Sequence, residues 1–273
     1  MKSYNGLKLG KLPYEEDKLG RDLKLDKYLN TALFLAVNRL PTPPESTDDY
    51  QICPAWGMYR NDVEGDCAIA GAIHLLMLWI KEAGGTPNFT DENAEETYSA
   101  ISGYVPGDED TDVGCQLRDV LKYWKNAGIP DAHGVRHKIA GFIQADPKNH
   151  DQIKIAQYLF GGLYIGFMVP AYAMTEFQDG QPWTLQKKNT KIVGGHCVDQ
   201  AGYGSIQILA VTDTGVWVLT WGKVQFMDWK FWDKLVDEVW VILDKEFLKK
   251  GVSPRGFDLK TLQADLKAID AMD

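Results

Sequence analysis

The sequence has 273 residues, of which 45% are hydrophobic and 25% are charged. This balance is ordinary for a globular protein, and it excludes a disordered or collagen-like chain. The net charge of −9 argues against a nucleic-acid partner, because binding a phosphate backbone needs clustered positive charge. No apolar run reaches the ~18 residues of a membrane span. The N-terminus lacks the apolar region of a secretory signal, so we expect no signal peptide and no membrane partner.

The first part of the chain differs from the rest in composition. Residues 1–50 are rich in Lys, Asp, Leu and Pro and show little periodicity. Proline and scattered polar residues interrupt regular structure. The pattern predicts an extended N-terminal arm over residues 1–43, with one short helix near Tyr28–Val37.

Helices are predicted next, over residues 44–134. Apolar residues recur at three- and four-residue steps after Asp66, which predicts a helix over Asp66–Ala83. Thr90 is a favoured N-cap residue for a second helix, Asp91–Ile101. A third helix is predicted over Leu117–Asn126.

Strands dominate the predictions for residues 135–250. We expect strands at Val135–Ala145, Leu163–Val169, His196–Tyr203, Ser205–Val211 and Gly215–Thr220, an apolar run at Val239–Leu243, and helices at Asp146–Phe160 and Trp229–Trp240. A last helix, Leu259–Ile269, falls in a C-terminal tail of residues 251–273. Helices first and strands later indicate an α+β fold with two parts, residues 44–134 and 135–250 of one domain.

Two residues suggest nucleophilic catalysis. Cys67 lies in the first turn of a predicted helix, where the helix dipole lowers a thiol pKa and favours the reactive thiolate. His196 opens a predicted strand 129 residues later and supplies the base that a thiol nucleophile needs. Judged alone, each is more often a buried core residue, so their surroundings matter.

Those surroundings resemble the papain-like cysteine peptidases. Gly65-Asp66-Cys67 resembles the start of that family's first long helix, and Asn61 lies six residues before Cys67, where the family has a glutamine. Gly195-His196-Cys197-Val198 resembles the histidine strand, and Trp221-Gly222 resembles the tryptophan-glycine pair that follows it. The resemblance extends over roughly residues 44–245, with its motifs in the family's order.

The resemblance implies a papain-like fold, with a helical left subdomain followed by an antiparallel β-rich right subdomain. It implies hydrolysis of a peptide or amide bond through a thioester acyl-enzyme, with a peptide or protein substrate and no metal or cofactor. Cys67 would be the nucleophile and His196 the general base and acid. Asn61 and the backbone N–H of Cys67 would form the oxyanion hole.

One position departs from the family pattern. The family orients its histidine with an asparagine two residues before the tryptophan-glycine pair, and Leu219 stands there. Leucine has no hydrogen-bonding side-chain atom, so Leu219→Asn is expected to raise turnover. The candidates for orienting or shielding His196 are Thr220, Trp221, Asp199 and Asp213.

A second hypothesis keeps the fold without the catalysis. The chain would then be a catalytically weak or inactive structural or binding protein, including a virion-associated one of a bacteriophage. The expected location is the bacterial cytoplasm or the virion. Residues 1–43 are expected to lie across the domain, to occlude the cleft as a leading segment can in related peptidases, or to bind a protein partner.

Overall fold

Helix α1 (Cys67–Glu82) is the central element of the first half of the domain. Every side chain from Cys67 to Trp79 is buried, because the sequence is apolar around the whole helix rather than along one stripe. One face packs against the other helices and another against the sheet. The buried helix places Cys67, its first residue, inside the protein.

Two further helices surround α1, and both match the sequence predictions. Helix α2 (Asp91–Ser102) begins with a capping box between Thr90 and Asn93, in which each side chain binds the other's backbone N–H. Helix α3 (Leu117–Asn126) has the predicted bounds.

The computed structural model describes residues 3–4, 6–16, 23–27, 42–208 and 211–244. The predicted helices at Tyr28–Val37 and Leu259–Ile269, and the tail 251–273, lie outside these residues. Among the helices that are described, none is long and apolar enough to cross a lipid bilayer.

The second half is built on one antiparallel sheet of six strands in the order β5-β10-β6-β7-β8-β9. Its strands are β5 (Ile139–Ala145), β6 (Leu163–Pro170), β7 (Ile192–Ile208), β8 (Val211–Thr220), β9 (Lys223–Asp228) and β10 (Val236–Asp244). Helices α4 (His150–Phe160), α5 (Ala171–Gln178) and α6 (Trp229–Leu235) connect these strands. The predicted α+β, papain-like arrangement of helices followed by an antiparallel sheet is confirmed.

Short elements complete the described part. Strands β1 (Ser3–Tyr4) and β2 (Leu7–Lys8) form a small hairpin, β3 (Ile129–Pro130) pairs with β4 (Arg136–His137), and single 3-10 turns occur at Leu25–Lys27, Asp49–Ile52 and Glu109–Thr111. The hairpin brings residues 7–12 toward the boundary between helices and sheet.

The predicted helix over Trp229–Trp240 is wrong in its second half. Helix α6 ends at Leu235, and the chain continues as β10. Strand β10 lies between β5 and β6, so both of its edges are paired, and side chains on both of its faces are buried. Its run of apolar residues, Val239–Leu243, is therefore continuous. A continuous run does not show the alternation that identifies a half-exposed strand.

Other differences are smaller. Helix α5 and strand β9 were not predicted, and β7 is one continuous strand from Ile192 to Ile208 where the sequence suggested two. The predicted strand at residues 135–145 begins only at Ile139, and helix α4 begins at His150 rather than at Asp146. These changes leave the order of elements intact.

Candidate active site

Cys67 begins helix α1 and faces strand β7. Its side chain is buried, and the backbone N–H groups of Cys197 and Gly10 interact with the thiol. Cys197 follows His196 directly on β7, so the fold brings the candidate nucleophile to the strand that carries the candidate base. The two residues lie 129 positions apart in sequence, and the packing of α1 against β7 is what joins them.

His196 is held by two consecutive residues at the end of β8. Its Nε2 lies 2.7 Å from Thr220 Oγ1. The Trp221 ring stacks on the imidazole with centroids 4.0 Å apart and an angle of 16°. Phe167 contacts it edge-on, and its Nδ1 has no hydrogen-bond partner within the described residues. Thr220 therefore orients the ring and Trp221 shields it.

The strand register explains why Thr220 meets His196 and Leu219 does not. Leu219 is paired with Asp199 across β7 and β8, and consecutive strand residues face opposite sides of a sheet. The leucine at the family's asparagine position is buried in the core on the Cys67 side. The hydroxyl one residue later supplies the hydrogen bond.

The two aspartates considered as orienting residues do not contact His196 in any hydrogen bond or ion pair of the described residues. Asp199 is fully buried beside helix α1, where its carboxyl lies 3.7 Å from His74 Nδ1. Burial raises the pKa of Asp199 well above its usual value and lowers the pKa of His74 to about 4. Asp213 lies near the other end of β8, and its carboxylate accepts from the Thr214 N–H.

Asn61 lies in the loop before α1, where its amide is used locally. Its Nδ2 donates to the Glu64 carbonyl at 3.3 Å. The loop carrying it contains Tyr59 and Arg60 in left-handed conformation, with φ of 52° and 65°. In this form the Asn61 amide binds the loop that leads to Cys67.

Residues 7–12, here called the cleft segment, run between two walls. Cys115, before helix α3, represents the helical wall, and Gly195 on β7 represents the sheet wall. The Cys115 N–H donates to the Gly10 carbonyl at 2.8 Å, and the Leu12 N–H donates to the Cys115 carbonyl at 3.0 Å. The Lys11 N–H donates to the Gly195 carbonyl at 3.1 Å. The segment is therefore hydrogen-bonded to both walls directly over the candidate catalytic pair.

Two lysines fasten the cleft segment further. Lys8 Nζ lies 3.1 Å from Asp112 Oδ2 on the helical wall. Lys11 Nζ lies 2.9 Å from Asp237 Oδ2 and 3.2 Å from Glu238 Oε1 on the sheet wall. Both ammonium groups are buried, as are Asp112 and Glu238, whereas the Asp237 side chain is 27% exposed.

The cleft segment approaches the helical wall closely at Gly10. A Cβ placed there would lie 1.6 Å from the Gly65 carbonyl oxygen. No L-residue other than glycine fits this position without moving the backbone. The close contact makes Gly10 the natural place to displace the segment by substitution.

Burial determines the charge states of Cys67 and His196. The pKa of Cys67 is raised to about 12 and that of His196 is lowered to about 3, in both cases by desolvation. The sequence predicted a lowered thiol pKa from the helix dipole. That expectation is wrong for this form, because loss of water outweighs the helix N-terminus and the two nearby N–H groups. Thiol and imidazole are both neutral here.

Asp112 is the polar residue of the site that sequence reasoning missed. It ends the acidic run of residues 107–112, yet it is only 3% exposed. Its Oδ1 accepts from Tyr98 Oη at 2.6 Å and from the Gly65 N–H at 2.9 Å. These hydrogen bonds, with Lys8, lower its pKa despite burial. Asp112 thereby positions the backbone two residues before Cys67.

The described residues contain no group of three or more His, Cys, Asp or Glu side chains placed to bind a metal ion. Three buried thiols, Cys67, Cys115 and Cys197, lie around the cleft segment, and burial raises the pKa of each. Protonated thiols are poor metal ligands.

Comparison with solved structures identifies the fold. The chain is similar to xylellain, a cysteine protease from Xylella fastidiosa, with a TM-score of 0.63 and 15% identity over 89% of this chain and 98% of that one. The fold is papain-like. Procathepsin L2 from Tenebrio molitor larval midgut is similar with a TM-score of 0.59 and 13% identity over 87% of this chain and 78% of the other.

A third similar structure is procathepsin B S9 from Trypanosoma congolense, with a TM-score of 0.53 and 12% identity, over 87% of this chain and 83% of the other. The sequence matches no family model and no curated protein. At these identities the likeness establishes the papain-like fold, and nothing in it points to a bacteriophage or a virion.

Proposed function

We propose that this protein is a cysteine hydrolase that cleaves peptide or amide bonds and is held inactive by its own cleft segment. The observation that carries the proposal is the meeting of Cys67, at the start of a buried helix, with the strand bearing His196. Thr220 and Trp221 hold the imidazole in one orientation on a papain-like fold. Residues 1–43 act as an arm whose cleft segment covers this site.

When the segment leaves, water and substrate reach the pair, and its pKa values shift toward their usual ranges. The Cys67 thiol transfers its proton to His196, and the sulfur attacks the carbonyl carbon. The Cys67 N–H, in the unpaired first turn of α1, stabilises the oxyanion. Asn61 joins it by turning from the Glu64 carbonyl.

His196 then protonates the leaving amine as the C–N bond breaks, which leaves a thioester on Cys67. Water attacks the thioester, with His196 accepting a proton. The carboxylic acid product leaves and the thiol is restored. Thr220 keeps the ring aligned through both steps, the task that the asparagine has in the resembled family.

The test is labelling of cysteines by iodoacetamide, with sites identified by mass spectrometry. In the full chain carrying Gly10→Val, which displaces the cleft segment, Cys67 should react at least tenfold faster than Cys53. Adding His196→Ala should remove that advantage, because the base is gone. Equal slow labelling of all four cysteines in the folded Gly10→Val chain would count against the proposal.

One observation favours the binding-protein hypothesis instead. Both members of the pair are neutral and buried, which is also the state expected of a fold whose chemistry has been lost. The two hypotheses differ in the Gly10→Val chain. An enzyme gains peptide hydrolysis that Cys67→Ala abolishes and Cys53→Ala leaves unchanged, whereas a binding protein gains none.

A further inference from the structure

The side chain of Lys11 ends in an anionic pocket of the sheet. It is 0% exposed, with its ammonium between Asp237 and Glu238 at 2.9 Å and 3.2 Å. A buried ammonium is stable only when it is paired. Gly166, Asp237 and Glu238, here called the lysine pocket, therefore form a site suited to a cation on a long stem.

Gly166 on β6 gives the pocket its shape. A Cβ at this position would lie 2.1 Å from Lys11 Cε and 2.7 Å from Glu238 Cγ. A glycine inside a strand commonly marks the close approach of another group. Here the missing side chain creates the slot in which the aliphatic stem of a lysine lies.

The pocket is built from residues of two neighbouring strands of the sheet, with Glu238 on β10 paired with Gly166 on β6. Glu238 lies on β10 and is 2% exposed, and its Oε2 accepts from Trp240 Nε1 at 2.8 Å. Its Oε1 makes no hydrogen bond in the described residues and faces the Lys11 ammonium. Two carboxylates meet one ammonium, so the lysine pocket keeps a net negative charge.

The pocket adjoins the candidate nucleophile. The Lys11 N–H binds Gly195, next to His196, and the Gly10 N–H interacts with the Cys67 thiol. The negative charge of Glu238 acts to raise the pKa of Cys197, and the positive charge of Lys11 acts to lower the pKa of Cys67. A peptide with its carbonyl at Cys67 therefore presents a neighbouring side chain to the lysine pocket.

We propose that the lysine pocket is the specificity pocket of the enzyme and selects peptides with lysine or arginine beside the cleaved bond. Lys11 occupies it in the resting protein as a substitute for that side chain. This inference rests on the proposed function, and it adds a substrate class that the fold alone does not supply.

The test uses the full chain carrying Gly10→Val and peptides that differ at one residue. Lysine, arginine, norleucine or glutamate is placed in turn at each of the three positions before the cleaved bond. Norleucine matches the lysine stem without its charge. We expect kcat/KM for lysine to exceed that for norleucine at least tenfold at one position, with glutamate the poorest.

Adding Glu238→Gln should bring the lysine to norleucine ratio toward one while norleucine peptides are still cleaved. Asp151→Asn, at an exposed carboxylate on α4, is the matched control and should keep the ratio. If Glu238→Gln fails to fold, as judged by circular dichroism, the ratio in the Gly10→Val chain decides alone.

Equal cleavage of lysine and norleucine peptides at every position would overturn the specificity proposal and leave the hydrolase intact. If no peptide is cleaved and Cys67 also fails to outpace Cys53 in labelling, the proposed function itself fails. Rapid labelling of Cys67 with cleavage of norleucine peptides only would count against the lysine pocket alone. The labelling result thus separates the two failures.

Discussion

Two buried lysines hold the cleft segment in place, and their carboxylate partners differ in their hydrogen-bond donors and in the direction of their pKa shifts. Asp112, on the helical wall, accepts from Tyr98 and Gly65 as well as from Lys8, and these contacts lower its pKa. Within the described residues, Glu238 on the sheet wall accepts a hydrogen bond from the Trp240 indole besides its contact with Lys11, and burial raises its pKa.

The difference distinguishes a structural residue from a binding residue. Asp112 keeps two donors if Lys8 leaves, so it remains a stable anion that holds the backbone before Cys67. Glu238 would keep only the indole if Lys11 left, and a buried carboxylate short of donors is costly. The sheet wall therefore needs a cation in place, and the helical wall does not.

The largest effect is expected from removing Asp112. Asp112→Ala leaves the Lys8 ammonium and the Tyr98 hydroxyl buried without their acceptor, so the free energy of unfolding should fall by roughly 3–5 kcal/mol. Asp110→Ala, at an exposed carboxylate of the same loop, should change it by at most about 0.5 kcal/mol. Urea titration measures both, and equal effects would erase the contrast between the walls.

Leu219→Asn is the next largest change, and it tests the sheet wall. Thr220 already binds His196, so the new asparagine is not needed to orient the ring. Its side chain would lie in the core beside Asp199. A buried amide without a partner should lower the free energy of unfolding by about 1–3 kcal/mol. Turnover in the Gly10→Val chain should not rise, which revises the expectation drawn from the sequence. A clear gain would show that Thr220 does not orient the ring.

The helical wall was the more predictable from sequence. Its elements are specified by neighbouring residues, such as the Thr90 capping box and the bounds of α3. The sheet wall depends on pairing between distant strands, and the first part of β10, residues 236–240, was taken for the end of a helix because burial on both faces hides the alternation of a strand.

The candidate site shows the same division. Cys67 and His196 were found from local motifs, and Thr220 and Trp221 were named as candidates. The roles of Asp112 and Glu238 could not be predicted, because each depends on a lysine more than 100 residues away in the chain. An arm that crosses the domain, occludes the cleft or binds a partner was expected, but the hydrogen bonds of the cleft segment left no pattern in the sequence.

The two lysines can be compared directly. Lys11→Met leaves Glu238 buried without a cation and Asp237 without its ion-pair partner, so the cleft segment should detach more often, and iodoacetamide labelling of Cys67 should rise about tenfold, or ~1.4 kcal/mol. Lys8→Met should raise it only two- to threefold, because Asp112 retains its other donors. Mass spectrometry of the labelled Cys67 peptide gives both rates. A larger increase in Lys8→Met than in Lys11→Met would contradict the difference inferred between the helical wall and the sheet wall.

A smaller effect is expected from pH. His196 has a pKa of about 3 under the segment against 6.5 in water, so protonation favours the open form as pH falls below 6.5. Deprotonation of Cys67 likewise favours the open form above pH 9. The closed form is therefore most stable between pH 6.5 and pH 9. Glu238, whose pKa is raised, opposes opening in acid.

The measurement is the Cys67 labelling rate of the natural chain divided by that of the Gly10→Val chain at the same pH, which cancels the intrinsic reactivity of the thiol. The ratio should rise several-fold between about pH 7 and pH 5. A flat ratio would mean that His196 is not covered by the segment in solution.

The cleft segment is joined to the domain by the same chain, and this fixes how the protein responds to dilution. A tethered ligand has an effective concentration, typically millimolar for a short flexible linker, that does not change when the protein is diluted. Substrate must compete with that constant value, which raises the apparent KM at any protein concentration. A single break of the chain between Leu12 and Thr42 would convert the contact into an ordinary bimolecular one, and dilution would then release the site.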